Sequence, residues 1–249
     1  MSDHSESFVT SIAQALNSDQ VPCVLWGHYL LNVHGIPSII GSIDFVIPDA
    51  HLELGTKTLT QFKSLTPCPD REVCSSSSQE RPTPPPAFHR HIEDSEVTVG
   101  LYLQSATIWF LPPLDSSFLC PKKLQLPSHF VLASDQSILP PWRPGRGYGV
   151  FKSDQDPVIV PKCHILLEAF LRLYARDVGK RIGAFAMAMI AYVQEYIDDD
   201  GLLDTSLLPE PLNSFYKELR QGKKPVRQWT KELREALGIL GGFEDDCSS

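Results

Sequence analysis

Residues 21–49 constrain the fold of this chain more than any other stretch, because strand, turn and helix signals follow one another there without a break. Residues 23–26 are all apolar and follow Pro22, which predicts a short buried strand. Gly27 then permits a sharp turn into a short helix. A glycine and a proline within residues 35–37 end that helix. The stretch therefore begins with a strand, a glycine turn and a helix.

A second strand is predicted at residues 42–47, where polar and apolar side chains alternate. Ser42 and Asp44 are two residues apart and therefore share one face of this strand. A glycine that turns a strand into a helix leaves backbone N–H groups pointing outward, and these groups hold phosphate. Carboxylates on the neighbouring strand hold divalent cations. The stretch thus predicts a nucleotide and metal site that involves Gly27, His28 and Asp44.

The remainder of the first 115 residues predicts a mixed α and β core. Helical spacing of apolar residues appears at 8–16 and again after Asp49, up to residue 62. Serines, prolines and few apolar residues fill 64–91, which predicts a flexible insertion. Strands are then predicted at 97–103 and at 106–111.

Residues 116–160 predict a loop-rich connection with one strand near 130–133. From 161 to 242 the apolar residues recur at helical spacing in four separate stripes. The order of elements therefore predicts an α+β fold with a mixed sheet and flanking helices at 1–115, followed by a helical C-terminal region at 161–242.

Composition narrows the class of protein. The chain of 249 residues carries a net charge of -8, which argues against a general nucleic-acid-binding protein. No apolar run approaches the roughly 20 residues needed to cross a bilayer, so no membrane role is expected. The N-terminal segment has acidic residues where a secretory signal has basic ones. The sequence therefore predicts a cytoplasmic protein.

The first stretch resembles the nucleotidyltransferase-fold superfamily, whose members have Gly-Gly or Gly-Ser, a short spacer and then Asp-x-Asp. Here the corresponding residues are Gly27 and His28, a spacer of thirteen residues (29–41), and Ser42-Ile43-Asp44. The resemblance covers about 30 residues strongly, and the chain as a whole is similar to a small, degenerate branch of fungal type. It implies a nucleotidyltransferase-like core, a nucleoside triphosphate as ligand and Mg²⁺ as metal.

The departures from that pattern imply an incomplete metal site. Ser42 stands in place of the first metal-binding aspartate, and a neutral hydroxyl is a poor ligand for a hard dication. The strand that should supply a third acid has Gly100 at its centre. Asp94 and Glu96 precede that strand and are the candidates to join Asp44 as metal ligands. With Asp44 alone, Mg²⁺ would be held weakly.

Other polar clusters have two interpretations each. His89 and His91 share a face if their segment is extended and, with Asp94 nearby, they could bind zinc; a solvated loop is the competing and preferred interpretation. Cys68 and Cys74 lie on either side of a loop and could form a disulfide under oxidising conditions, which the cytosol disfavours. Arg143 and Arg146 lie in a turn-rich loop that is either purely structural or folds over the site to contact the triphosphate.

Three functions follow from these features. The first is a non-catalytic nucleotidyltransferase-like protein that binds a nucleotide or a partner. The second is an active Mg²⁺-dependent nucleotidyltransferase acting on a small-molecule or protein acceptor, with Asp44 as its catalytic residue and Asp94 or Glu96 as a further metal ligand. The third is an interaction module whose basic segment 217–234, with seven basic and two acidic residues, binds a protein partner.

Overall fold

A computed structural model describes residues 5–70, 72–74, 76–78, 83–120, 125–152 and 157–239. Its helices are α1 Glu6–Ser18, α2 Gly27–Val33, α3 Leu52–Gln61, α4 Gln104–Thr107, α5 Cys163–Asp177, α6 Arg181–Val193, α7 Leu212–Gln221 and α8 Val226–Ala236. Its strands are β1 Val24–Trp26, β2 Ser42–Ile47, β3 Leu65–Thr66, β4 Phe88–Ile92, β5 Thr98–Leu103, β6 Phe130–Leu132 and β7 Ile159–Pro161.

Five of these strands form one mixed sheet in the order β1-β2-β5-β4-β3. The central pair, β2 and β5, is parallel, and the other three pairs are antiparallel. The strands β6 and β7 form a separate antiparallel pair. The prediction of an α+β fold with a mixed sheet and flanking helices is confirmed.

The sheet is covered on both faces, which explains the burial of all six residues of β2. On one face α3 approaches so closely that a side chain on Gly55 would lie 3.1 Å from Leu101 and 3.2 Å from Ile47. The opposite face, which carries Asp44, is covered by α5 and α6. Phe170 of α5 contacts Trp26 at a ring-centroid distance of 6.0 Å.

The C-terminal helices pack against the sheet and against one another. His34 Nε2, just after α2, is 2.9 Å from the Pro161 carbonyl oxygen, which joins the first half of the chain to β7. At the far end, Trp229 of α8 is fully buried and its indole N–H donates to the Phe215 carbonyl oxygen of α7. The helical region therefore continues the hydrophobic core of the sheet.

Two local predictions are wrong. The strand predicted at 106–111 is instead the end of α4 followed by a turn, because Ile108, Leu111 and Leu114 are buried at a spacing of three residues. The segment 64–91 is not a structureless insertion, since it supplies β3 and most of β4. Residues 71, 75 and 79–82 of that segment lie outside the described residues.

None of the described helices combines the length and the apolar character that a membrane span requires.

Candidate functional site

Gly27 and Asp44 lie side by side at the end of β1. The antiparallel register pairs Trp26 with Asp44, and Gly27 turns the chain into α2 with a φ of +65°. That dihedral strongly favours glycine. A Cβ atom on Gly27 would also lie 2.5 Å from Asp44 Oδ2. The glycine turn and the acid therefore belong to one small hollow on the face covered by α5.

The Asp44 carboxylate is enclosed on its other side by a second glycine. In the parallel register Gly100 of β5 lies directly opposite Asp44, and a side chain on Gly100 would overlap Oδ1. The carboxylate is only 3% exposed, and Ser42 Oγ donates a hydrogen bond of 2.6 Å to Oδ2. Ser42 thus acts as a donor to the carboxylate in the position where the resemblance implies a metal ligand.

A proline-rich segment at 83–87 crosses this face and closes the hollow. Tyr102 Oη donates to the Pro84 carbonyl oxygen at 2.9 Å, and the Ala87 N–H donates to the Leu101 carbonyl oxygen at 2.8 Å. These two bonds hold the segment along β5. Pro86 lies 3.3 Å from the position that a Gly100 Cβ would take. The segment predicted as a flexible insertion therefore covers the candidate site.

The closed hollow is small and mainly apolar. Its remaining cavity is about 20 Å³, which is room for about one water molecule. Asp44 is the only acidic residue among the described residues that line it. The full lining is Trp26, Gly27, His28, Leu31, Asp44, Thr83, Pro84, Tyr102, Thr107, Phe170, Leu173 and Phe185.

His28 lines the hollow but is engaged by neighbouring residues. Its Nδ1 is hydrogen-bonded to Ser38 Oγ at 2.7 Å, and its ring meets the edge of Phe185 at a centroid distance of 5.9 Å. Both contacts fix the orientation of the imidazole ring within the hollow.

The other two predicted metal ligands do not join Asp44. Asp94 and Glu96 are exposed and line a separate open cleft of about 730 Å³ together with Cys74 and His91. Since Gly100 lies opposite Asp44, Glu96 precedes the level of Asp44 by four residues, or about 13 Å of extended chain. These three acids therefore do not surround one metal in this conformation.

Arg143 and Arg146 do not face the hollow either. Both donate to Asp200 Oδ2, at 2.9 and 2.8 Å, and Arg146 makes a second bond to Oδ1 at 2.9 Å. The hydrogen bonds from Arg146, together with the charge of Arg143, lower the pKa of Asp200 to about 2. The loop is attached beyond the end of α2, where the Gly147 N–H donates to the Gly35 carbonyl oxygen. The arrangement favours the structural interpretation of this loop.

Internal contacts engage part of the basic segment 217–234. Arg220 forms ion pairs with Asp198 and Asp199 at 2.7 and 2.8 Å. Lys224 lies between two glutamates of α7 and α8 and pairs with both. Arg234 is buried and donates to the Ala175 carbonyl oxygen. Lys231 also pairs with Glu235 at 4.0 Å. At least four of the seven basic residues thus have partners within the helical region, which weakens the case for a basic docking face.

A second polar cluster lies on the same face of the sheet as Asp44. Strand pairing places His89 opposite Gly100 and His91 opposite Thr98, and residues paired across strands share a face. The thiols of Cys68 and Cys74 lie beside both imidazoles. The two-residue spacing of the histidines is the signal that the sequence carries. The two cysteines have no C-x-x-C spacing that would connect them with the histidines.

Comparisons with models of protein families, with curated proteins and with solved structures give no match to this chain.

Proposed function

We propose that this chain is a nucleotidyltransferase-like protein with a degenerate metal site, which transfers no nucleotide and acts as a binding protein. The observation that carries the proposal is the state of the hollow around Asp44. One carboxylate lines it among the described residues, and the cavity beside that carboxylate holds about one water molecule.

Nucleotidyl transfer makes two demands that this hollow does not meet. Metal-assisted attack at phosphorus commonly uses two metal ions about 3.5–4 Å apart, and hard dications need several carboxylate oxygens. Asp44 supplies one such group, and its Oδ2 already accepts the hydroxyl of Ser42. Pockets for ligands of nucleotide size measure about 300–1,000 Å³. Binding a triphosphate beside Asp44 would therefore require residues 83–87 to leave the sheet.

Descent from a nucleotidyltransferase-like ancestor is supported by the arrangement around Gly27. A glycine turn joins a strand to a helix, and the acid two residues after Ser42 lies against that glycine. This is the juxtaposition that a phosphate-binding turn and a metal-binding acid require. The acid lies in mainly apolar surroundings, which fits a nucleotidyltransferase-like fold without catalysis.

A binding role is supported by a larger cleft on another part of the surface. It measures about 370 Å³, and its lining includes Trp142, Tyr148 and Tyr29 together with Glu6 and Lys152. Trp142 is 63% exposed and Tyr148 is 53% exposed, although large aromatic side chains are usually buried. Aromatic rings of this kind stack on nucleobases or on the aromatic side chains of a protein partner. This cleft is larger than the cavity beside Asp44, which also has aromatic side chains in its lining.

The proposal is tested by measuring transfer and binding in parallel. ATP, GTP, CTP and UTP labelled at the α-phosphate are incubated with the protein and Mg²⁺ or Mn²⁺, and label on protein or small acceptors is measured. We expect no transfer. Transfer that is lost in Asp44→Asn but kept in Asp94→Asn would overturn the proposal and establish an active enzyme.

Calorimetric titration with the same nucleotides locates any binding. Binding at the aromatic cleft is expected to weaken at least tenfold in Trp142→Ala and to be unchanged in Asp44→Asn. The reverse result would place the nucleotide in the hollow and would show that residues 83–87 open in solution.

A gain-of-function variant tests the interpretation of position 42. Ser42→Asp places a second carboxylate beside Asp44 on the same face of β2, as the resemblance implies for an active member. Two buried carboxylates repel one another unless a cation lies between them. Mn²⁺ is therefore expected to raise the unfolding temperature of Ser42→Asp and to leave that of the wild-type protein unchanged. An equal Mn²⁺ effect on both proteins would contradict this interpretation.

A further inference from the structure

Four candidate metal-binding atoms converge beside β4. One ligand atom from each of Cys68, Cys74, His89 and His91 lies within 4.8 Å of all the others. Cys74 Sγ is 3.4 Å from His89 Nε2 and 3.3 Å from His91 Nε2. In a tetrahedral zinc site, bond lengths of about 2.3 Å to sulfur and 2.0–2.1 Å to nitrogen place sulfur and nitrogen about 3.6 Å apart. The cluster therefore has close to the size of a zinc coordination shell.

The topology of the sheet explains why these residues meet. His89 and His91 are two residues apart on β4, so both rings project from the same face. Thr66 of β3 pairs with His91, which places Cys68 next to the histidines soon after β3 ends. Cys74 comes from the following turn. The cluster thus joins two strands of the sheet to the segment between them.

A hydrogen-bond network fixes Cys74 in its position. The thiol is 7% exposed and accepts a hydrogen bond of 3.3 Å from the Ser76 N–H. Ser76 Oγ is in turn hydrogen-bonded to Thr98 Oγ1 of β5 at 2.7 Å. Outer contacts of this kind orient metal ligands in proteins.

The chemistry of the four side chains selects the metal. Two thiolates and two imidazoles form the Cys₂His₂ set of structural zinc sites, and two thiolates balance the charge of Zn²⁺. Four protein ligands complete a tetrahedral shell and leave no position for water or substrate, which distinguishes a structural site from a catalytic one. Cys68 and Cys74 are both free thiols in this structure.

We propose that Cys68, Cys74, His89 and His91 bind one zinc ion, which links Cys68 and Cys74 to strand β4. Residues 83–87, which cover Asp44, lead directly into β4, which carries His89 and His91. The zinc ion therefore helps to keep the hollow closed. The site is separate from the hollow and its existence does not depend on the function proposed for that hollow.

Metal content provides the first test. The protein is reduced, incubated with one equivalent of ZnCl₂, passed through a desalting column and analysed by plasma mass spectrometry. We expect one zinc ion per chain in the wild-type protein and less than a tenth of that in Cys74→Ser and in His91→Asn. Cys120→Ser changes an exposed cysteine outside the cluster and is expected to keep a full equivalent. Asp94→Asn is also expected to keep it, since Asp94 is not in the ligand set.

A spectroscopic test identifies the ligands even where a variant folds poorly. Replacement of zinc by Co²⁺ in the wild-type protein is expected to give thiolate-to-cobalt charge-transfer bands and the strong visible bands of a tetrahedral centre. In the zinc-loaded protein, a thiol-reactive probe should modify Cys68 and Cys74 at least tenfold more slowly than after chelation of the metal. A wild-type protein that retains no zinc, or that contains a Cys68–Cys74 disulfide after reduction, would overturn the proposal.

Hydrogen exchange tests the structural role. The Ala87 N–H donates to β5 in the closed segment. Chelation of zinc is expected to accelerate exchange at this amide at least tenfold, whereas amides of α8 should exchange at unchanged rates. Unchanged exchange at Ala87 would show that the metal does not hold the segment. None of these measurements involves a nucleotide, so their failure is distinct from failure of the function proposed above.

Discussion

Replacing Gly100 by alanine directly tests the enclosure of Asp44. A methyl group at this position would overlap Asp44 Oδ1 and would lie 3.3 Å from Pro86 Cβ. The backbone itself accepts alanine, because Gly100 is not among the glycines with positive φ. The larger part of the cost of Gly100→Ala therefore arises from the carboxylate, and that part should depend on whether the carboxylate is present.

The expected magnitudes follow from these contacts. Inserting a methyl group into a filled site costs about 1–3 kcal/mol. Alanine also lowers the conformational entropy of the unfolded chain, which stabilises the folded protein by about 0.4–1 kcal/mol where the native backbone accepts alanine. In the wild-type background we expect a net destabilisation of about 1–2 kcal/mol. In the Asp44→Ala background the overlap with the carboxylate is gone, so the same substitution should be neutral or stabilising by up to about 1 kcal/mol. The coupling between the two positions is therefore about 1–3 kcal/mol.

Urea unfolding monitored by tryptophan fluorescence measures all four members of this cycle. For a chain of this size, a loss of 2 kcal/mol also lowers the thermal midpoint by roughly 4–8 °C. Gly41→Ala is the matched control, since no atom lies within 4 Å of its Cβ position and its φ is not positive. Equal costs for Gly100→Ala in the presence and absence of the Asp44 carboxylate would refute the proposed enclosure.

Two pH-dependent effects are also expected. Burial lowers the pKa of His34 to about 4 from an ordinary value of 6.5, although its hydrogen bond to Pro161 acts in the opposite direction. Below pH 6.5 the unfolded chain binds a proton at His34 that the folded chain does not bind. The free energy of unfolding should therefore fall by about 2 kcal/mol from pH 7 to pH 5. Urea unfolding of His34→Gln should show a smaller fall over the same range. Asp200 has its pKa lowered to about 2, chiefly by the hydrogen bonds from Arg146. The stabilisation that the Asp200 carboxylate gives to the folded protein is complete above about pH 4 and disappears towards pH 2. Asp200→Asn should therefore be less stable than the wild-type protein at pH 7 and should approach its stability in acid. A difference in stability that persists at pH 2 would contradict this assignment.

The sequence predicts the elements around Gly27 well because each has a local physical cause. A proline precedes β1, a glycine makes the turn, and the apolar residues of β2 end at another proline. The alternation at residues 42–47 predicts a strand, and these residues form β2. The sequence predicts a strand at 106–111 because Ile108 and Leu111 also fit a strand pattern. Their burial at a spacing of three residues, in the turn that follows α4, is a tertiary property.

The sequence by itself determined the α+β class, the mixed core followed by helices, and the deficit of acids near Asp44, since these depend on residue type and on spacing along the chain. Only the tertiary structure decided what surrounds that acid. The parallel register of β2 and β5 places Gly100 beside Asp44 and sets Glu96 at a distance. The pairing of β3, β4 and β5 brings two thiols to two imidazoles from a segment whose composition predicted no order. Contacts between residues distant in sequence depend on strand pairing and packing, and local composition carries no record of either.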